Sequence, residues 1–452
     1  MATGTHNVDM LHGPLTGKIF IFALPLIASG MLQQSFNAVD VAVVGRYTGP
    51  EAMAAAGSNG MIISILINLF LGIAIGANVV IANYIGMKNR DGVVHSIATV
   101  GMLSIISGII LLVAGCTLAR PILEAMSTPE DVIDLAETYL RIYFLGMPFI
   151  MAYNFGSAIM RSMGDTWHPF YSLIFAAVVN LILDFAFVAW LGMGIEGVAI
   201  ATVIANAVNA AFIVYWLMRE PAPYTLKTLK IYRGDMVKML KIGIPAGLQG
   251  MIFSTSNIFI QATVNSFGSA AVAGSAAANT YEAYCYYIIS SFGAATIAFT
   301  GQNYGAGLYD RCKRVVFICL GLGAIISAAA NLTISLNDSF FIGLFTDNAT
   351  VAEFAKERMH TALMFQFIAV SYEITGAFMR GLGWSMTPML LTIFGTCVLR
   401  LLWVFTVTPY HHTFPALLMV YPVTWTVTGI LVSAAAIYVA HKAFRAHLPQ
   451  PD

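Results

Sequence analysis

The chain repeats itself. Residues 18–91 and 238–310 align at a constant offset of about 220, with Pro25 on Pro245, Gly30-Met31 on Gly250-Met251, Asn37 on Asn257, Asn59 on Asn279 and Asn83-Tyr84 on Asn303-Tyr304. Farther along the offset slips to about 219, where Met160-Arg161 falls on Met379-Arg380, Gly164 on Gly383 and Pro169 on Pro388. Two copies of one ancestral half must give two similar folding units.

The solvent of those units follows from charge. A soluble domain carries about 25% charged residues, whereas this chain has 10%, with 22 basic against 22 acidic side chains in 452 residues and 58% hydrophobic content. So few charges cannot solvate a surface of that size, and each half must be a bundle of membrane helices. Zero net charge gives no basic face for nucleic acid. A bilayer core needs roughly 20 apolar residues per helix, and twelve such runs can be marked, six on each side of a polar linker over residues 218–241. The expected organisation is therefore an N-terminal lobe over 1–217, the linker 218–241 and a C-terminal lobe over 242–452. With six spans per half the repeat is parallel, as in duplicated secondary transporters.

Basic residues set the expected orientation. With the N-terminus inside, sixteen Lys and Arg fall on the cytoplasmic side and five (Arg46, Arg120, Arg141, Lys356 and Arg358) outside, while Arg400 lies within the eleventh span. Both termini are then cytoplasmic, and Thr48 falls in the first outer loop.

Chemistry is sought where polarity costs most. A carboxylate at membrane depth is disfavoured by at least about 2.5 kcal/mol and marks function by default. Asp40 and Asp184 each lie six residues before the outer end of their spans, Asn180 is one turn from Asp184 on the same face, and Thr202 sits at similar depth. Such a layer can share a proton between two carboxylates or offer hard oxygen ligands, including to Na⁺. The structural alternative is that Asp40 caps a broken helix and Asp184 pairs with Asn180 for packing. The second half does not repeat the layer, since Ile260 and Trp403 occupy the corresponding positions. It has instead Glu282, between Tyr281 and Tyr284, and Glu373 beside Tyr372. A carboxylate among aromatic rings suits a lipophilic cation, although Glu373 could equally be neutralised by Arg400.

Together these residues resemble a known family. The twelve-span duplicated plan, the run from Pro25 through Gln33-Gln34 to Asp40 and Gly45-Arg46, the Asn180-Leu-Ile-Leu-Asp184 pattern, and Met160-Arg161-Ser-Met-Gly164-Asp165 echoed by Met379-Arg380-Gly-Leu-Gly383 are similar to the multidrug and toxic compound extrusion (MATE) family, within it the prokaryotic DinF-like branch. The resemblance implies an all-α, V-shaped protein of two six-helix lobes in the cytoplasmic (inner) membrane of a bacterium or archaeon. It implies export of lipophilic, often cationic compounds in exchange for H⁺ or Na⁺, by a monomer. It places the coupling site at Asp40, Asn180, Asp184 and Thr202, and a bend of the first span at Pro25, which lacks one helical hydrogen bond. Substrate contacts are then expected at Gln34, Tyr281, Glu282, Tyr284 and Glu373. The alternative is a flippase for a lipid-linked saccharide, which would need a strongly basic cavity.

Other signals point away from further chemistry. Gly13-Pro-Leu-Thr-Gly17-Lys18 is one residue short of a phosphate-binding loop, so no nucleotide is implied. Five cysteines and nine histidines show no metal-ligand spacing, and no nucleophile–base pair lies in the spans. No cofactor and no enzymatic activity are expected. Gly72-x-x-x-Gly76 reads as a close-packing pattern.

Overall fold

The computed structural model describes residues 7–47, 50–125, 128 and 130–445; Thr48 lies outside them. Among the described residues the chain is all helix, with no strand. The first half runs through α1 (Leu15–Tyr47), α2 (Pro50–Gly86), α3 (Arg90–Ala125), α4 (Glu130–Leu145), α5 (Met147–Met163), α6 (Trp167–Asp184) with a π-helical continuation Phe185–Trp190, and α7 (Ile195–Arg219). The second runs through α8 (Arg233–Asn265), α9 (Ser269–Gly305), α10 (Tyr309–Leu336), α11 (Asp338–Gly343) and α12 (Ala349–Thr361). A 3-10 segment, Leu363–Ala369, leads into α13 (Val370–Gly381), followed by α14 (Met386–Thr392), a π-helical segment Ile393–Val398, α15 (Leu399–Thr406), α16 (Phe414–Leu418) and α17 (Val420–Arg445).

Nine stretches among the described residues are long and apolar enough to cross a bilayer, and α4 with α5, bent by 48°, makes a tenth. The bend falls at Gly146, where Pro148 in the first turn of α5 removes a backbone donor. The expected twelve is not reached on apolarity alone, because α8 and α9 carry too many polar groups. They are nevertheless 33 and 37 residues long, ample for a bilayer at 1.5 Å per residue.

The compact units do not follow the sequence halves. One contains residues 28–247, and the other residues 9–27 and 248–452. The lobe boundaries expected at 217 and 242 therefore shift, and the linker shortens, because α8 already begins at Arg233 and its first half packs in the first unit. There Gly72 and Gly76 of α2 meet Gly243 and Gly247 of α8 so closely that a Cβ on Gly72 would lie 2.1 Å from the Gly247 nitrogen. The first half of α1 packs in the second unit, with Phe22 edge-on to Phe299 at 5.5 Å. Both transfers fall beside the prolines inside α1 and α8, Pro25 and Pro245.

Repeated residues do repeated work. Gly164 (φ 99°) and Gly383 (φ 88°) adopt the left-handed conformation glycine tolerates best. Each ends its helix with the same pair of bonds, Gly164 N to Arg161 O with Asp165 N to Met160 O, and Gly383 N to Arg380 O with Trp384 N to Met379 O. The Asn-Tyr pairs hold the chain entering α1 and α8. Asn303 Nδ2 donates to Met10 O (3.1 Å), and Tyr84 Oη donates to Asp235 Oδ1 (2.7 Å).

Candidate functional site

In the first unit, α1, α6 and α7 bring all four expected polar residues together. Asp40, Asn180 and Thr202 line a cavity of about 290 Å³, and Asp184, fully buried, adjoins it through Asp40. The Asp40 carboxyl lies beside the Asp184 carboxyl and the Thr202 hydroxyl, close enough to interact electrostatically with both. Thr202 Oγ1 donates its proton to Val198 O at 2.9 Å, which leaves its lone pairs facing the cavity's acids as acceptors only. Ionised carboxylates have no donor, and the Asp40–Asp184 contact is a hydrogen bond only when a proton lies between them. Asp40 Oδ1, both oxygens of Asp184 and Asn180 Nδ2 are buried without a protein hydrogen-bond partner. No Lys or Arg forms an ion pair with either aspartate among the described residues. These donor-poor oxygens fit a proton or a small hard cation and do not fit a pair made for packing.

Sequence reasoning missed part of this cavity. Tyr139 and Tyr143 of α4, stacked with centroids 6.0 Å apart, stand close enough to Asp40 to feel its charge. Asn154, Asn206 and Asn209 complete the wall. The signal was available in spacing, since Thr202, Asn206 and Asn209 share one helical face. Gln34, expected at a substrate contact, is not in this lining. Its neighbour Gln33 lines the cavity, because Gln33, Phe36 and Asp40 follow the i, i+3, i+7 stripe of α1 and Gln34 is turned about 100° away.

The second unit holds a cavity of about 260 Å³ with different chemistry. Glu282 of α9 lines it, but its charge is matched. Arg358 Nε donates to Glu282 Oε1 at 2.7 Å and Nη2 to Oε2 at 3.0 Å, with Asn279 Oδ1 accepting from Nη2 at 3.3 Å. Arg358, counted among the outer-side basic residues, is 4% exposed and Glu282 7%. A paired guanidinium can be buried where a lone one cannot. Tyr281 does not line the cavity. It donates to Phe341 O at 2.8 Å and packs on Phe341 and Phe345. Tyr284 and Glu373 also lie outside the lining, although Glu373 interacts electrostatically with Tyr286, which lines it. Nor does Arg400 neutralise Glu373. It donates to Asn257 Oδ1 at 2.9 Å and lies over the rings of Phe253 and Tyr421 at 5.1 and 4.9 Å.

Comparison with known proteins agrees with this architecture. The MatE family model matches residues 25–186 and again 245–406, reproducing the internal repeat. The "Probable multidrug resistance protein YoeA" of Bacillus subtilis is 29% identical over 83% of both chains. The "Probable multidrug resistance protein NorM" of Thermotoga maritima is 25% identical over 87% of this chain and 86% of its own. Among solved structures, a MATE protein in the straight conformation superposes with a TM-score of 0.91 at 23% identity, over 98% of this chain and all of that one. The chain thus belongs to the MatE family of multidrug and toxic compound extrusion proteins, and is a multi-pass membrane transporter rather than an enzyme.

Proposed function

We propose that this protein is a secondary active multidrug exporter that exchanges lipophilic organic compounds for H⁺ or Na⁺, with Asp40, Asp184, Asn180 and Thr202 holding the coupling ion. The observation that carries the reading is the set of four buried polar atoms on Asp40, Asn180 and Asp184 with no protein partner. Three of them are carboxylate oxygens, which at membrane depth call either for a proton that neutralises them or for a cation that balances them. The names of the relatives supply the export half of the proposal, and the carboxylate pair the coupling half. Pro25, inside α1 and fifteen residues before Asp40, is the proposed hinge. Loading or releasing the ion changes the charge at the end of α1, and a helix already short of one backbone hydrogen bond bends there at low cost. The protein is placed in the bacterial or archaeal cytoplasmic membrane with both termini inside, as its basic residues favour, and works as a monomer.

Glu282 does not enter this reading as a cation receptor, since Arg358 already balances its charge. A lipid-linked saccharide flippase fits less well. Its pyrophosphate needs at least two uncompensated cations, and the cavity lining offers one.

The deciding experiment is dye efflux by the purified protein in liposomes under an imposed pH gradient and then a Na⁺ gradient. Asp40→Asn and Asp184→Asn keep side-chain shape, and each is expected to abolish gradient-driven transport in a folded protein. Wild-type rates from either variant would place coupling elsewhere.

A further inference from the structure

The charge inventory of the second unit does not balance. Its deep groups are Glu282, Glu373, Arg358, Arg380 and Arg400, of which Glu282 and Arg358 form a closed pair. Glu373 and Arg380 lie seven residues apart on one face of α13, and both act on Tyr286. Glu373 also acts on Tyr372 together with Arg400, so three arginines share two glutamates, and Arg400 forms no ion pair among the described residues. It is 1% exposed, lines the cavity, and has a neutral Asn257 as its hydrogen-bonding partner, while its Nε has none. A guanidinium presents five N–H donors, and a buried cation without an ion-pair partner is disfavoured, so a position like this calls for an anion to complete it.

Around Arg400 the wall is aromatic. Phe253, Tyr286, Tyr372, Tyr421 and Trp425 line the same space, and both guanidiniums lie over Tyr421, Arg358 at 5.4 Å and Arg400 at 4.9 Å. A dry cavity of about 150 Å³ admits a benzene ring, so about 260 Å³ has room for a fused bicyclic ring with a small charged substituent.

We propose that the second-unit cavity binds an aromatic organic anion, its carboxylate or sulfonate on Arg400 and its ring against Phe253, Tyr421 and Trp425. One positive charge selects a monoanion, since a second negative group would meet no free cation and would face Glu282. The inference extends the transport reading by naming a ligand class. Its test reads binding and not transport, so failure here leaves the coupling site untouched and failure of coupling leaves this result standing.

The test uses three probes of nearly equal shape, 2-naphthoate, 2-naphthylmethanol and 2-naphthylmethylammonium, titrated calorimetrically into the purified protein in lipid nanodiscs at pH 7. Quenching of tryptophan fluorescence reports arrival near Trp425. The wild type is expected to bind naphthoate at least about tenfold more tightly than the alcohol, as a charge-assisted hydrogen bond predicts, and the ammonium probe most weakly. Equal binding of the three probes, binding of none, or preference for the ammonium overturns the proposal, and this comparison needs no variant. Arg400→Gln is expected to remove the preference for naphthoate, and Arg400→Lys to retain part of it through charge without the planar fork. Unchanged naphthoate affinity in folded Arg400→Gln would equally overturn it.

Discussion

Arg358 grips Glu282 through two parallel hydrogen bonds of 2.7 and 3.0 Å, deep inside the second unit. The pair changes what the glutamate can do. Its carboxylate, which sequence neighbours alone would offer to a lipophilic cation, is instead a fixed strut between α9 and α12, and Gln366 Nε2 fastens the same turn by donating to Glu282 O at 2.9 Å.

Breaking that strut from one side should be costly. Glu282→Gln leaves a buried, unmatched guanidinium and is expected to destabilise the protein by about 3–5 kcal/mol. The double variant Glu282→Gln with Arg358→Met should recover most of the loss. Thermal unfolding of the detergent-solubilised proteins measures both, and a single variant as stable as wild type would mean that the pair is not the strut described.

Within the acidic cavity the effects should be graded. Asn180→Ala and Thr202→Val each remove one neutral ligand and leave both carboxylates, so transport should slow about tenfold or less, as for loss of one neutral hydrogen bond, where either aspartate variant abolishes it. Initial efflux rates under a fixed gradient provide the comparison. Abolition by Thr202→Val would show that the Thr202 hydroxyl is as necessary as the acids.

That Asp40, Asn180, Asp184 and Thr202 share one buried layer was legible in the sequence because membrane depth can be counted from helix ends, and polar residues at depth are few. The partners that decide what an acid does were not. Nothing in the string says that Arg358, 76 residues from Glu282, folds inward, or that Gln33 rather than Gln34 lines the acidic cavity, since that depends on helix rotation fixed only by packing. The repeat predicted two similar units correctly. It could not predict the exchange of half-helices, which is a choice of packing partner between equivalent copies.

Glycine contacts give a stability test with an internal control. Gly72→Ala forces a Cβ to 2.1 Å from the Gly247 backbone, which rigid helix backbones relieve only by moving apart, and a loss of about 1–3 kcal/mol is expected from overpacking. Gly321→Ala in α10 meets nothing within 4 Å and should be neutral or stabilising by up to about 1 kcal/mol through helix propensity. Parallel melting curves check the contrast.

Acid should loosen the α11–α12 corner. Burial would raise the Asp338 carboxyl, but hydrogen bonds from His360, Ser339 and Lys356 outweigh it and hold the group at about 2, below its ordinary 3.8. His360 Nε2 lies 2.8 Å and Lys356 Nζ 3.2 Å from Asp338 Oδ2. A lowered native value means stability fully present above pH 3.8 and lost as pH falls through about 2. Melting temperatures from pH 5 to pH 2 should fall more steeply for wild type than for Asp338→Asn, and identical slopes would contradict the pairing.

Orientation can be read from labelling. With Cys116 replaced by Ser and the other four cysteines already buried, a cysteine at the exposed Asp347 should react with an impermeant thiol reagent in intact cells, and one at Asn89 should not. The reverse pattern would invert the membrane topology.

The exchange at Pro25 and Pro245 means that neither ancestral copy encodes a complete folding unit. Residues 9–27 are translated well ahead of the unit they join, and find their packing surface only when α9, more than 240 residues later, has been made. Until then the second half of α1 stands on one unit and the first half waits for a neighbour that does not yet exist. A chain cut between the copies would give two fragments, each lacking the opening stretch of its own bundle, so an exporter assembled this way cannot be reduced to a working half.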